Sequence, residues 1–223
     1  MARAPVLWDL PVRLFHWSLA ALVVFSYITA KVGGTWMDWH LRSGYAILAL
    51  LLFRVAWGAV GSSTARFSTF VRGPRIVLSY LRETSAGRRP DVVGHNPAGG
   101  WMVVLMIVAL LLQAATGLFS DDEIATQGPL AVKVSNAAVS RMSTIHSWNE
   151  WVLVTFVVLH VIAIVVYHRV LRVNLVGPML HGRGLPGIEL AAPRNAGIAA
   201  VLFAIACAAV YWLVVVFPRS GAA

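Results

Sequence analysis

The chain has 223 residues, of which 59% are apolar and only 12% charged, with a formal net charge of +9. Soluble domains carry about a quarter charged residues, so a water-soluble core of this size is excluded. The single cysteine, Cys207, excludes an intrachain disulfide and a Cys-rich metal site.

Trp8-Asp9-Leu10-Pro11 leads into a first apolar block, 14–32, with Pro11 suited to a first helical turn. Arg3 followed by this block is not read as a cleaved signal peptide: the block contains His16, and Lys31-Val32-Gly33-Gly34 is a poor small-residue cleavage site. A short loop, 33–39, places Trp36 and Trp39 at an aromatic belt and precedes a second block, 41–60. The stretch 61–97 is rich in Arg, Ser and Gly. Within it Ile76, Val77, Tyr80 and Leu81 recur at helical spacing beside Arg75 and Arg82, which predicts a short helix lying on a membrane surface.

Gly94-His95-Asn96-Pro97 opens a third block, 100–119. The loop 120–145 begins with Asp121-Asp122-Glu123, the one acidic cluster of the sequence. A fourth helix is expected from near His146 to near His168, around the block 150–168. A second basic loop, with Pro178, Gly182, Gly184, Pro186 and Gly187, leads to a fifth block, 196–217, which holds no histidine and reads as a peripheral, lipid-facing span. Each block supplies roughly twenty residues, enough as a helix to cross a ~30 Å hydrocarbon layer. Backbone polar groups must be paired in lipid, so the blocks must be helices. The fold expected is an all-α integral membrane helical bundle, divided into a four-helix core domain over 1–195 and a fifth transmembrane helix with a short tail over 196–223.

The basicity follows the membrane. With five spans and a cytoplasmic N-terminus, thirteen basic residues fall inside: Arg3, Arg13, Arg54, Arg66, Arg72, Arg75, Arg82, Arg88, Arg89, Arg169, Arg172, Arg183 and Arg194. Five fall outside: Lys31, Arg42, Lys133, Arg141 and Arg219. The positive-inside rule accounts for this bias, and no nucleic-acid partner is needed.

Ionisable residues inside spans point to function, because burying them alone is costly. His16 lies a turn into the first helix; His40 opens the second; His146 and His160 share the fourth. Fourteen residues at ~100° each return to within about 40° of the starting direction and climb roughly 21 Å. His146 and His160 therefore face one interior from opposite halves of the bundle, His146 level with His40 and His160 level with His16. Two facing imidazoles in an apolar bundle suit the axial positions of a haem iron, whereas zinc takes three or four clustered ligands. The pairs expected are His40 with His146 and His16 with His160, each holding one haem. With one cysteine, any haem is held without Cys-x-x-Cys-His attachment.

Arg54 follows His40 by fourteen residues and faces the same interior from the other end of its helix. It is expected to pair with propionates of the His16–His160 haem, with Arg13 beside it, while Arg42 and Arg141 serve the other haem. Snorkelling to lipid phosphates is the alternative for all four. Gly44, Gly58 and Gly117 either admit a flat macrocycle or serve plain helix packing. His168 reads as an interfacial residue at the end of its helix, with a ligand to the cytoplasmic-side haem as the alternative, and His95 and His181 as solvated loop histidines, with proton relay to a quinone as the alternative.

The stretches VLWDLPVRLFHW, WHLRSGYAILALLLFRVAWG, GHNPAGGWMVVLMIVALLLQAATGLF and IHSWNEWVLVTFVVLHVIAIVVYH, in that order, resemble the bacterial cytochrome b561 family and the related b-type cytochrome subunit of nickel–iron hydrogenases. The resemblance covers about residues 6 to 184. It implies a bundle of the first four helices around two haem b groups. The family's ligands fall on His16, His40, His146 and His160, and GHNP implies an entry to the third helix that carries no ligand. Two departures stand out: NLVGPMLHGRG has Gly184 where many relatives have a further basic residue, and the fifth helix lies beyond the shared core.

Two six-coordinate irons leave no open position for oxygen, so the function expected is electron transfer. The resemblance implies quinone as the lipid-soluble partner and a bacterial inner membrane as the setting. On the outer side a cytochrome c or other redox subunit is expected, and Asp121-Asp122-Glu123 either steers a basic one or forms a solvated loop. Alternatives are a superoxide:quinone oxidoreductase, with Lys133, Arg141 and Arg42 drawing in the anion, a membrane anchor of a hydrogenase-like complex, and a haem-free transporter or scaffold.

Overall fold

A computed structural model describes residues 6–88, 94–184 and 192–220, and these are mostly helical, with no strands among them. Arg3 and Arg89, placed with the cytoplasmic charges, lie outside the described residues. Eight α-helices run in order: α1 (Leu10–Val32), α2 (Met37–Val60), α3 (Phe67–Phe70), α4 (Pro74–Ser85), α5 (Pro97–Gly117), α6 (Asn136–Arg169), α7 (Val176–His181) and α8 (Ala196–Tyr211). Five segments are long and apolar enough to span a membrane: Leu10–Val32, Gly34–Val60, Pro97–Gly117, Asn136–Arg169 and Ala196–Arg219. The molecule is a membrane helical bundle.

Helix boundaries follow capping chemistry more closely than hydropathy. Asp9 accepts the Val12 backbone N–H at 2.9 Å and starts α1 before its apolar block. Asn96 does the same for α5 by accepting Gly99 N–H at 2.7 Å, with Pro97 in the first turn. The fourth span departs furthest from expectation. It begins at Asn136 behind the Ser135 cap, not near His146, and its 34 residues extend about 51 Å. Its first ten residues, 136–145, therefore stand beyond a ~30 Å hydrocarbon layer. The surface helix expected around residues 75–82 is present as α4, started by Pro74 and joined to the bundle by buried Tyr80.

α1 packs on α2, α5 on α6, and α2 on both α5 and α8, whereas α6 stands off from α1 and α2. One end of the bundle carries the start of α1, the α3–α4 segment and Arg13, Arg54, Arg66, Arg72, Arg75, Arg82, Arg88, Arg169, Arg172, Arg183 and Arg194; it is called the basic end below. Trp8, Val12, Phe15, Phe53 and Trp57 are buried together there. Ile47, Leu51, Ile107, Leu110 and Leu153 fill the middle, and Leu48, Ala49, Leu118 and Leu130 the opposite end. α8 is peripheral but not featureless: Ala199, Ala206 and Val210 are buried in the packing, and Phe203 meets Phe53 edge-on at 5.9 Å. Val201, Ile205, Tyr211 and Trp212 remain exposed on the lipid side.

Candidate functional site

The four histidines form two pairs. His16 of α1 faces His160 of α6 with ring centroids 6.4 Å apart and planes at 53°. His40 of α2 faces His146 of α6 at 6.2 Å and 89°. The first pair joins α6 to α1 and the second joins α6 to α2. Among the described residues no three His, Cys, Asp or Glu side chains gather as a metal cluster, so each site offers two nitrogens and no more. A metal–imidazole bond of about 2.0 Å on either side, with about 1.1 Å from each ligating nitrogen to its ring centre, sets opposed ring centres about 6.2 Å apart. Both pairs match that span.

The second nitrogen of the opposite-end pair is held by backbone. His40 Nδ1 lies 3.0 Å from the Ser26 carbonyl oxygen and 3.1 Å from Ser26 Oγ. His146 Nδ1 lies 3.0 Å from the Gln113 carbonyl oxygen and 3.2 Å from Thr116 Oγ1. A carbonyl oxygen only accepts, so Nδ1 carries the proton in both rings and Nε2 keeps the lone pair a metal requires. Asn149, one turn beyond His146 and buried, donates Nδ2–H to the Ala109 carbonyl at 2.9 Å and to Gln113 Oε1 at 2.7 Å. That seam fixes α6 against α5 at the height of His146. Gly117 belongs to the same surface: a Cβ there would lie 2.9 Å from His146 Cε1. At Gly44, one turn after His40, a Cβ would meet no atom within 4 Å, and at Gly58 it would collide with the Phe67 ring.

The basic-end pair is built differently. His16 Nδ1 is buried with no partner among the described residues. Arg54 is 2% exposed, its guanidinium 4.8 Å from the Phe67 ring centre and 6.0 Å from that of Phe15, and its Nη1 is buried without a partner. An orphaned buried guanidinium calls for an anion, and a carboxylate is the acceptor its fork fits. Arg13 is half-buried; one amino group donates to the Leu180 carbonyl, while its Nε is buried without a partner. At the opposite end Arg42 lies over Trp39 at 5.4 Å and is exposed, as is Arg141. Their exposure leaves both open to lipid phosphates.

Sequence reasoning missed two residues. Asp9 is 3% exposed and, besides capping α1, accepts Trp57 Nε1–H at 3.0 Å. An Asp before Leu-Pro is a legible cap signal, but its bond to α2 is not. His95 is not a solvated loop residue. Its ring is wedged between Trp8 at 4.5 Å and Phe70 at 4.3 Å, and its Nδ1 is closed off from solvent. Burial, with the Arg54 charge and the His16 ring nearby, pushes its pKa down to about 3, so it stays neutral. His168 is exposed at the end of α6, as expected, and His181 is exposed but ends the short helix α7 instead of lying in a loop. The acidic cluster folds on itself: Asp122 Oδ1 accepts the backbone N–H groups of Ile124, Ala125 and Thr126 at 2.8–2.9 Å.

A family model described as prokaryotic cytochrome b561 matches residues 7–182. Among individual relatives, a probable Ni/Fe-hydrogenase B-type cytochrome subunit of Azotobacter chroococcum mcd 1 is 26% identical over 212 residues, covering 80% of this chain and 88% of the relative. A protein of the same description from Rhizobium leguminosarum bv. viciae is 25% identical, covering 80% and 87%. A third, from Cupriavidus necator, is 24% identical, covering 81% and 86%. No solved structure matches the chain.

Proposed function

The chain belongs to the prokaryotic cytochrome b561 family, a family of membrane b-type cytochromes in electron transfer, and from that premise we propose that it carries two haem b groups and conducts electrons across a bilayer. The observation that carries this reading is the pair of imidazole couples at 6.4 and 6.2 Å, one in each half of the bundle. His16 and His160 hold the basic-end haem, and His40 and His146 the other. Arg54, with Arg13 beside it, receives propionate at the basic end; Arg42 and Arg141 are the candidates at the opposite end. Bound haem supplies reversible one-electron chemistry.

The protein's part is to orient and to insulate. The Ser26 and Gln113 carbonyls lock two rings with Nε2 inward. Leu51, Ile107, Leu110 and Leu153 keep water out of the middle. Two histidines offered to each haem would favour electron transfer over oxygen chemistry. The basic end lies in the cytoplasm of a bacterial cell, as the positive-inside rule requires, and the bilayer is the inner membrane. The electrons pass between an outer-side redox partner and the quinone pool.

The descriptions of the relatives as hydrogenase cytochrome subunits favour one form of this reading, in which the chain is the haem-bearing anchor of a hydrogenase-like complex. Co-purification of a large redox subunit with the tagged chain is the expected result for that form, and a chain that purifies alone from its native membrane speaks against it. The two-haem reading itself is tested by haem content in His16→Ala and His40→Ala. Each variant is expected to keep one haem of two. Unchanged content in both would refute the assignment.

A further inference from the structure

Away from the histidine pairs, the basic end holds a cavity of about 710 Å³ between the start of α1, the end of α7 and the start of α8. Three backbone N–H groups tie its walls together. Those of Leu7 and Trp8 donate to the Gly182 carbonyl at 2.8 and 3.3 Å, and that of Arg194 donates to Ser62 Oγ at 3.0 Å. Gly182 turns the chain at φ 80°, where a Cβ would lie 2.9 Å from the Trp8 carbonyl oxygen. The spans of α1 and α8 both begin here, which puts the cavity at headgroup depth.

Its lining is cationic. Arg13, Arg183 and Arg194 line it with one carboxylate, Asp9, whose two oxygens accept Val12 N–H and Trp57 Nε1–H. One carboxylate against three guanidinium groups leaves the cavity with a net positive charge. Arg183 and Arg194 are exposed and form no ion pair among the described residues. His181 Nδ1 accepts the Arg183 backbone N–H at 3.1 Å, so its Nε2 carries the ring proton and is a further donor. Beside these groups the wall is apolar, and it continues downward. Leu10, which lines the cavity, is followed along α1 by Leu14 and Trp17 at helical spacing, and all three are exposed. They form an apolar track from the cavity into the hydrocarbon layer. A soluble anion needs the cations but not the track, and a quinone the track but not the cations; an anionic lipid uses both.

We propose that this cavity binds the phosphodiester headgroup of one anionic phospholipid, with Arg183, Arg194 and His181 donating to the phosphate and an acyl chain lying along Leu10, Leu14 and Trp17. Arginines at a membrane face draw anionic lipid in general, and α4, with Arg75 and Arg82, is such a surface. The cavity differs from α4 in enclosure: its cations come from three separate segments around one space. A lipid seated there fastens the start of α8 and the end of α7 to the start of α1. The site is independent of bound haem.

Native mass spectrometry of the full chain, released from nanodiscs of equal phosphatidylglycerol and phosphatidylcholine, tests it. The wild type is expected to retain phosphatidylglycerol in preference to phosphatidylcholine. Arg183→Gln combined with Arg194→Gln should weaken that retention at least about tenfold, the loss expected for two cations near a membrane face. Arg75→Gln combined with Arg82→Gln removes the same charge from α4 and should leave retention unchanged. Leu10→Glu, at the exposed first position of α1 where an acid is tolerated, should abolish the preference by placing a carboxylate in the cavity; it decides the matter if the first arginine pair fails to fold. Equal loss in the α4 pair would mean attraction to the leaflet at large. Displacement of the lipid by inorganic phosphate would mean a soluble ligand, and capture of quinone in place of phospholipid a different occupant. Each of these would overturn the proposal, as would equal retention of both lipids by the wild type.

Discussion

The basic end and the opposite end of this bundle each present two imidazoles about the same distance apart, yet they secure them by different physics. At the opposite end the rings are fixed by hydrogen bonds to Ser26 and Gln113 carbonyls, and the α5–α6 seam is pinned by Asn149. At the basic end orientation comes from packing. His16 meets Trp17 edge-on at 4.9 Å, and buried polar atoms of His16, Arg54 and His95 remain unpaired. Burying polar groups without partners costs free energy, so the basic end is the half that gains most from a bound anion. The opposite end is complete without one. One end is preorganised by backbone, the other by what it binds.

Gly117→Val breaks the comparison most severely. The added Cβ would sit 2.9 Å from His146 Cε1 and 3.3 Å from Nδ1, forcing the ring off the Gln113 carbonyl. Loss of the opposite-end haem is expected, with total haem halved and the basic-end α-band signal retained. Retention of both haems would show that the carbonyl does not hold the ligand in place.

Arg54→Leu should act with opposite signs on the two forms of the protein. Without haem it removes an unpaired buried cation, and thermal denaturation is expected to show stabilisation by about 1–4 kcal/mol. With haem it removes the propionate partner, and basic-end haem should dissociate faster. A variant destabilised in both forms would mean that Arg54 serves the apoprotein through contacts of its own.

Trp57→Phe is a smaller change confined to the basic end. It deletes the 3.0 Å bond to Asp9 and leaves a buried carboxylate one donor short, at a cost of about 1–3 kcal/mol. The melting temperature should fall, with haem content at the opposite end unchanged.

The smallest effect is an acid one in the loop that follows α5. Burial would raise the Asp122 carboxyl, but backbone N–H groups of Thr126, Ile124 and Ala125 outweigh it and hold the pKa down to about 2. A depressed carboxylate contributes stability above its unfolded value, near 3.9, and loses it as pH falls through the folded value. Amide protection at residues 124–126, corrected for intrinsic exchange, should therefore fall between about pH 4 and pH 2. Asp122→Asn should flatten that profile and leave exchange in the spans unaltered.

The parts of this arrangement that were legible in the sequence rest on helical periodicity. The fourteen-residue spacings place His146 with His160, and His40 with Arg54, on shared faces whatever the loops do, and the structure brings the four histidines together as the spacing implies. What escaped depends on contacts between distant segments. His95 looked solvated because nothing local announces that Trp8 and Phe70 close over it. The start of α6 was placed ten residues late because hydropathy marks the edge of the hydrocarbon, while the helix continues through polar Ser140, Arg141, Ser143 and Thr144 to its Ser135 cap. The carbonyl acceptors of Ser26 and Gln113 left no trace, since any residue supplies a carbonyl.

The central claim is that each half of the bundle holds one haem, and haem per chain tests it most directly. Pyridine haemochromogen absorbance on purified protein of known concentration is predicted to give two haem b per chain. A ratio of one, or a protein that binds none when haem is supplied during expression, would contradict the account.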